Sequence, residues 1–361
     1  MAKPKVAVLK TTPATVLADY GRLMHLANYQ QFLPKDKQTA LKTNISWEHF
    51  YPACSTTPWQ LDGVISTLLK DGYCKEKLYG CNNRTVVVDA RRGELENKLK
   101  PVIVDKYGLR NIHLYDPGEE WTHYEPKAKM LVLDQIYAEG IQIPKRLIGS
   151  NIIHLPTMKT HVFTQVTGAM KNAFGGLLFE KRHWTHSVIH ETLVDLLAIQ
   201  KEIHPGIFAV MDGTFAGDGP GPRCMVPRVE NYILASGDMV AIDAVAAKMM
   251  GFDPLSIKFI RLAHERGLGC GDVREIELAG DDISDVNFHF HCGDTFASHG
   301  QKMIYWGPLK PLEHLLLRTV LVPWSYAASR LYHDVYWYNV IGRGRVKQAL
   351  QTSWGQLFLQ Y

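Results

Sequence analysis

"SVIHETLVDLLAIQKEIHPGIFAVMDG", Ser187 to Gly213, carries the pattern that decides the fold. Ile189, Leu193, Leu196 and Ile203 recur at steps of four, three and seven residues, the period of a helix with one buried face. Pro205 and Gly206 end that pattern, and "GIFAVM" follows as an apolar run of strand length. A helix leading straight into an apolar strand is one step of an alternation that builds a parallel sheet between helices.

The alternation extends both ways. Toward the amino end, "KVAVLK", "KLYGC", "IHLYD", "KMLVL" and "NIIHLP" are predicted as short strands. "TPWQLDGVISTLLKDGY" is predicted as a helix opened by Thr-Pro, and "IPKRLIGS" as a short helix with proline in its first turn and a glycine stop. Toward the carboxyl end, "NYILASGD" reads as a strand, while "MVAIDAVAAKMMG" and "PLSIKFIRLAHERGLG" read as helices. The expected fold class is therefore α/β, a largely parallel sheet flanked by helices, over residues 1–284. Residues 285–361 change character and are expected to form an aromatic-rich helical extension. Its run "LLLRTVLV" is broken by Arg318 and is far shorter than a span of about 20 residues. A cap on the sheet, a homo-oligomer contact and a peripheral membrane contact are the uses weighed for it, the first two preferred because charges are scattered along it.

Composition narrows the function. With 46% hydrophobic and 21% charged residues over 361 positions, the chain has the makeup of an enzyme-sized globular protein. A net charge of +4 asks for no nucleic-acid partner. The start "MAKPKVAVLK" has no secretory apolar run, and the six cysteines show no C-x-x-C spacing, so a cytoplasmic protein with reduced thiols is expected. No iron–sulfur cluster is expected on the same ground.

Chemistry concentrates in "PTMKTHVFTQVTGAMKNAFGG", Pro156 to Gly176. Lys159, Thr160, His161, Thr164, Thr167, Lys171 and Asn172 border an apolar strand, where hydrogen-bonding groups need partners. A helix starting near Thr167 would offer free N–H groups beside the lysines, a setting for phosphate or carboxylate, with His161 as general acid or base. In "EKRHWTHSVIHE", His183, His186 and His190 would share a wedge of about 60° if a helix began that early. They are candidates for a divalent metal, with Arg182 as an anion clamp. In "VMDGTFAGDGPGPR", Asp212 is read as ending a strand, and Asp218 and Gly219 as part of a loop that lets the backbone approach a ligand. Asp238 is read as a helix cap, and Asp243 as a buried carboxylate whose natural partner is a lysine. Lys42 and Asn44 in "LKTNISW" gain weight only from what accompanies them.

What accompanies them is a resemblance. "LKTNI", "PTMKTHVFTQVTGAMKNAFGG", "MDGTFAGDGPGP" and "SGDMVAIDAVAAKMMGFDP" resemble, in order and spacing over roughly residues 40 to 282, the motifs of the family known as domain of unknown function 362. The resemblance implies an α/β fold and little settled activity. Some members look like redox proteins because ferredoxin-type clusters are appended; here an aromatic helical tail stands in that place. Thr43 and Thr157 replace the usual proline and lysine of the pattern, the second with loss of a cation.

The reading is an enzyme acting on a small phosphorylated or carboxylated metabolite. His161, Lys159, His183 and Asp212 are the expected catalytic groups. Lys42, Asn44, Thr160, Thr167, Lys171, Asn172, Arg182, Asp218 and Gly219 are expected to bind the substrate. Isomerisation, hydrolysis and group transfer all remain open, as does a cofactor. The competing reading is a scaffold or redox partner that docks through its extension.

Overall fold

In the computed structural model, which describes residues 3–84, 87–319 and 322–361, twelve strands form two sheets. They are β1 Lys5–Lys10, β2 Thr39–Thr43, β3 Leu78–Asn82, β4 Arg110–His113, β5 Trp121–Tyr124, β6 Ile141–Pro144, β7 Asn151–Leu155, β8 Thr157–His161, β9 Gln165–Val166, β10 Ile207–Asp218, β11 Val226–Ser236 and β12 Glu277–Gly280. The main sheet runs β12-β1-β11-β10-β7-β2-β3-β4, with β8 joined to β10 and β9. Pairing is parallel from β10 through β7, β2 and β3 to β4, and between β1 and β12; β11 lies antiparallel to both its neighbours. The chain thus adopts the α/β fold, with a mostly parallel sheet flanked by helices and a helical carboxyl-terminal region.

The central strands β1, β7 and β10 carry apolar runs because both sheet faces are covered there. Neighbouring residues go to opposite sides: Val6, Val8, Ile152 and Met211 pack on one face, Ala7, Leu9, Ile153 and Val210 on the other. The first face is roofed by helices Ile189–Ile203, Met239–Met250 and Lys258–Glu265. The second is roofed by Val16–Leu26 and Pro58–Lys70, together with aromatic residues from the end of the chain. Trp354 is fully buried, 5.2 Å from Trp59, and its indole donates to Asn231 at 2.7 Å. Phe358 stacks on Phe50 at 3.8 Å. The extension is therefore sealed to the sheet along this side.

Local signals explain the elements. Thr57 and Gln60 form a capping box ahead of Pro58, so the helix starts where the Thr-Pro pair predicts. Asp238 caps Met239–Met250 by accepting from Val240 and Ala241, and Gly251, at φ 98°, ends it.

Several expectations are corrected. "KMLVL" is not a strand: the amides of Leu131, Val132 and Leu133 donate to the Asp195 carboxylate, leaving none for a ladder. "IPKRLIGS" forms only the 3₁₀ turn Lys145–Leu147 after strand β6. β10 does not end at Asp212 but runs on to Asp218, so Asp212 sits mid-strand. "TMKTH", for which no element was expected, is strand β8. The run "LLLRTVLV" lies partly outside the described residues.

Candidate functional site

The parallel strands β2, β3 and β7 end on one edge, and there a cleft opens in two lobes. The first, about 220 Å³, is lined by Lys42 and Asn44 after β2, Asn82 and Asn83 after β3, and His161, Thr167, Lys171 and Asn172 from the stretch after β7. Arg182, His183, His186 and Arg223 close it. The second, about 270 Å³, shares His161, Lys171, His183, His186 and Arg223 and adds Tyr305, Ser325, Tyr326 and His333 from the extension. The position, at the carboxyl ends of parallel strands, is where open α/β sheets hold ligands.

Four basic side chains face this space without a direct ion pair, the nearest carboxylates being Glu94 for Lys42 and Asp334 and Glu48 for Arg223. Lys42 Nζ donates to the Thr43 carbonyl at 2.5 Å and reaches Asn82 Oδ1 at 3.4 Å. Arg182 donates to the carbonyls of Leu178 and Arg84, and Arg223 Nε to that of Ser46 at 3.2 Å. Lys171 Nζ lies 3.0 Å from His161 Nε2. None of the four forms an ion pair with an aspartate or glutamate among the described residues, in contrast to the exposed pairs such as Arg91–Asp116. Burial accordingly pulls the Lys42 and Lys171 amines down to about 8, the Arg182 guanidinium down to about 10, and Arg223 below its ordinary value. Thr167, 5% exposed, sits at the cap position of helix Gly168–Asn172, yet its hydroxyl caps nothing and has no partner. It faces the same lobe.

His161 is buried and held neutral, because burial opposes a proton on it. Its Nδ1 accepts from the Phe163 amide at 3.1 Å. His183 Nε2 lies 3.2 Å from the Leu317 carbonyl, and His186 stacks on Tyr305 at 5.9 Å.

Other expected site residues lie elsewhere. Lys159 is fully buried behind the wall: its ammonium donates to Asn44 Oδ1 (2.5 Å), Ser46 Oγ (3.1 Å) and the Cys54 carbonyl (2.5 Å). Burial pulls it down to about 7, while these three acceptors favour the charged form, so it positions Asn44 and Ser46 and does not line the cleft. Thr160 donates to the carbonyls of Gly217 (3.1 Å) and Gly219 (2.6 Å), pinning the glycine loop. Asp218 pairs with Arg228 at 3.2 Å and accepts from the His291 amide. Asp212 accepts from Tyr20, Thr57, Trp59 and Thr214 against the helix Pro58–Lys70, away from the cleft. Asp243 finds no lysine: its carboxylate takes the amides of Ala169 at 2.5 Å and Met170 at 3.0 Å.

The histidine wedge is also corrected. Residues Glu180–Val188 form a 3₁₀ helix and the α-helix begins only at Ile189, so the assumed turn of 100° per residue does not hold. His190 leaves the other two and stacks against Phe259 at 6.0 Å. No three His, Cys, Asp or Glu side chains among the described residues are grouped to hold a metal.

Arg223, Asn82, Ser46 and the residues of the extension were not anticipated. Arg223 directly follows the Gly-Pro-Gly-Pro run, the one signal that could have pointed to it.

Residues 39–248, more than half of the chain, match the family described as Domain of unknown function (DUF362). The chain belongs to this family. The four basic side chains, His161 and Thr167 all fall inside the DUF362 region, whereas Tyr305, Ser325, Tyr326 and His333 lie beyond it. A curated relative, the thylakoid-associated protein sll1697 of Synechocystis sp., is 30% identical over 124 residues, 32% of this chain and 37% of that protein. The chain thus matches little more than a third of that relative's length. Among the described residues no helix is long and apolar enough to cross a membrane.

Proposed function

We propose that the protein is an enzyme that binds a small phosphorylated or carboxylated metabolite in the two-lobed cleft and acts on it by acid–base chemistry. One observation carries this reading: Lys42, Lys171, Arg182 and Arg223 converge on one cavity with no carboxylate in ion-pair contact with them. Burying an ammonium or guanidinium alone costs several kcal/mol, so a site of this kind is stabilised by an anion that enters it. The unpartnered Thr167 hydroxyl adds a donor. Lys42, Arg182 and Arg223 hold the anion in this account, and Asn44 and Asn172 shape the wall. His161 presents Nε2 to the reacting group as a proton donor. The described side chains supply no metal site for this chemistry. In this reading the enzyme works in the cytoplasm, where its free cysteines stay reduced.

Calorimetry with inorganic phosphate, pyrophosphate and citrate tests it. At least one should bind the wild type, and Arg182→Gln should weaken that binding roughly tenfold, the value of one charged hydrogen bond. Equal affinity of wild type, Arg182→Gln and Lys42→Met for every such anion would remove the site.

A second reading concerns location. Leu331, Val335, Tyr336 and Val340 are all more than half exposed along Leu331–Gly342, a helix of π type in which residues four and five apart share a face. Arg330 and Arg343 bracket this stripe. An apolar face edged with basic residues fits a membrane surface, and the relative noted above is called thylakoid-associated. We therefore propose peripheral contact with an anionic membrane, which vesicle flotation tests.

A further inference from the structure

The proposed anion site says where a guest sits but not what is done to it, and the contact between His161 and Lys171 narrows that. A backbone amide can only donate, so the Phe163 N–H at 3.1 Å obliges His161 Nδ1 to accept. A neutral imidazole that accepts at Nδ1 carries its proton on Nε2. That N–H points at Lys171 Nζ, 3.0 Å away. An ammonium has no lone pair, so two donors would face each other; a free amine accepts the bond without conflict. No carboxylate touches Lys171 to restore the ammonium; its surroundings are His161, His186 and the Phe174 ring at 5.7 Å, the last a weak cation–π contact. Burial acts in the same direction, drawing the amine down to about 8.

We propose that Lys171 is kept as a neutral amine by His161 and captures the carbonyl carbon of an anionic aldehyde or ketone as an imine, which makes the substrate an oxo acid or a phosphorylated carbonyl compound. The proposal rests on the anion-site reading and specifies its substrate class. The Nζ lone pair forms the C–N bond while the C=O π pair moves to oxygen. The His161 Nε2–H, released from the amine, donates to that oxygen as charge develops. His161 keeps its proton and only hydrogen-bonds the oxygen; one amine hydrogen passes to the oxygen to give the carbinolamine, the second follows as nitrogen forms the C=N bond, and the oxygen leaves as water, so amine plus carbonyl gives imine plus water. Arg182 and Lys42 hold the carboxylate or phosphate meanwhile.

The test is reductive trapping on the full-length protein with pyruvate and, separately, glycolaldehyde phosphate, using sodium cyanoborohydride and peptide mass mapping. The expected result is an adduct at Lys171, formed roughly tenfold faster than at an exposed lysine such as Lys70. The Lys171 adduct should form more slowly in His161→Phe, and no fast adduct should form in Lys171→Met. Thermal shift with the same probes, without reductant, runs in parallel. If a probe stabilises the protein but Lys171 is modified no faster than surface lysines, the imine inference is wrong and the anion site stands. If neither probes nor phosphate bind, both fall together.

Discussion

His161 Nε2 and Lys171 Nζ meet at 3.0 Å on the wall shared by the two lobes, so one contact serves both halves of the cleft. Around it, charge is a function of pH. Lys42, drawn down to about 8 by burial, is cationic in neutral solution and loses its proton as pH rises through that value. Anion binding requires the cation, so affinity for phosphate should be flat below about pH 7 and fall toward tenfold per unit above about pH 8. The sign for folding is opposite. The unfolded lysine keeps its proton to its ordinary value of 10.5, so between about 8 and 10.5 the unfolded chain binds more protons and this group makes the empty protein more stable as pH rises. Calorimetric titrations from pH 6.5 to 9, in buffers of different ionisation enthalpy, measure both affinity and protons taken up. An affinity that rises with pH would contradict the assignment of Lys42.

Gly168 and Asp243 make a second dependence. A Cβ on Gly168 would lie 2.3 Å from Asp243 Oδ1, and the residue holds φ at +75°. Only glycine lets the first turn of Gly168–Asn172 sit on that carboxylate. Gly168→Ala should cost about 2–4 kcal/mol in urea unfolding and disorder the lobe that contains Thr167 and Lys171.

Asp243 also titrates. Burial raises its carboxyl from 3.8 to about 7, against the two amides that favour the anion. Between those values the native state binds a proton that the unfolded state has lost, so the group's contribution to stability fades as pH rises from about 4 to 7. Asp243→Asn should be less stable than the wild type by roughly 1–3 kcal/mol, because its amide cannot accept from both Ala169 and Met170, and the deficit should shrink toward pH 7. Unfolding curves of both proteins at pH 5 and pH 8 decide this; parallel pH profiles would refute it.

The parts legible in sequence are those where neighbours in the chain decide the outcome. Thr57, Pro58 and Gln60 specify a helix start within four residues, and the apolar runs of β1, β3, β7, β10 and β11 specify strands covered on both faces. β8 hides because "TMKTH" is polar and yet fully inside; its side chains are satisfied by segments far away, such as Asn44 and Cys54 for Lys159, more than a hundred residues distant. The same distance misplaced Lys159 as a catalytic group. Thr167, Lys171 and Asn172 were legible as donors needing partners, since they border β7 and β8 in the chain. Arg223 was not, because its place depends on Ser46, 177 residues away. The histidine wedge failed on a local point: the switch from 3₁₀ to α winding at Ile189 carries no residue signature.

Asp212 provides a contrast between a buried carboxylate and a functional one. Tyr20 (2.6 Å), Thr57 (2.9 Å), Trp59 (2.9 Å) and Thr214 (2.7 Å) all donate to it, tying β10 to two helices on the face opposite His161. Asp212→Ala would leave these donors buried and unpaired, an expected loss of about 3–5 kcal/mol. Phosphate affinity of the folded fraction should stay within about twofold, since sites that share no partner behave independently. A Kd shift of ten or more with intact stability would move Asp212 back into the site.

The extension should divide in the same manner into a half that holds the fold and a half that meets a surface. Trp354 is wholly buried against Trp59, so Trp354→Ala should cost about 3–5 kcal/mol by urea denaturation. Leu331, Val335 and Val340 point outward at 64%, 59% and 66% exposure, and replacing them by aspartate should change stability by no more than about 0.5 kcal/mol each. Flotation with vesicles containing phosphatidylglycerol should carry the wild type upward and leave the triple aspartate variant at the bottom, while phosphate binding is unchanged in both. Salt near 0.5 M should weaken flotation without abolishing it, because the basic bracket is screened and the apolar contact is not. If wild type and variant float equally, or neither floats, the stripe has no membrane role and the thylakoid association of the relative says nothing about this chain.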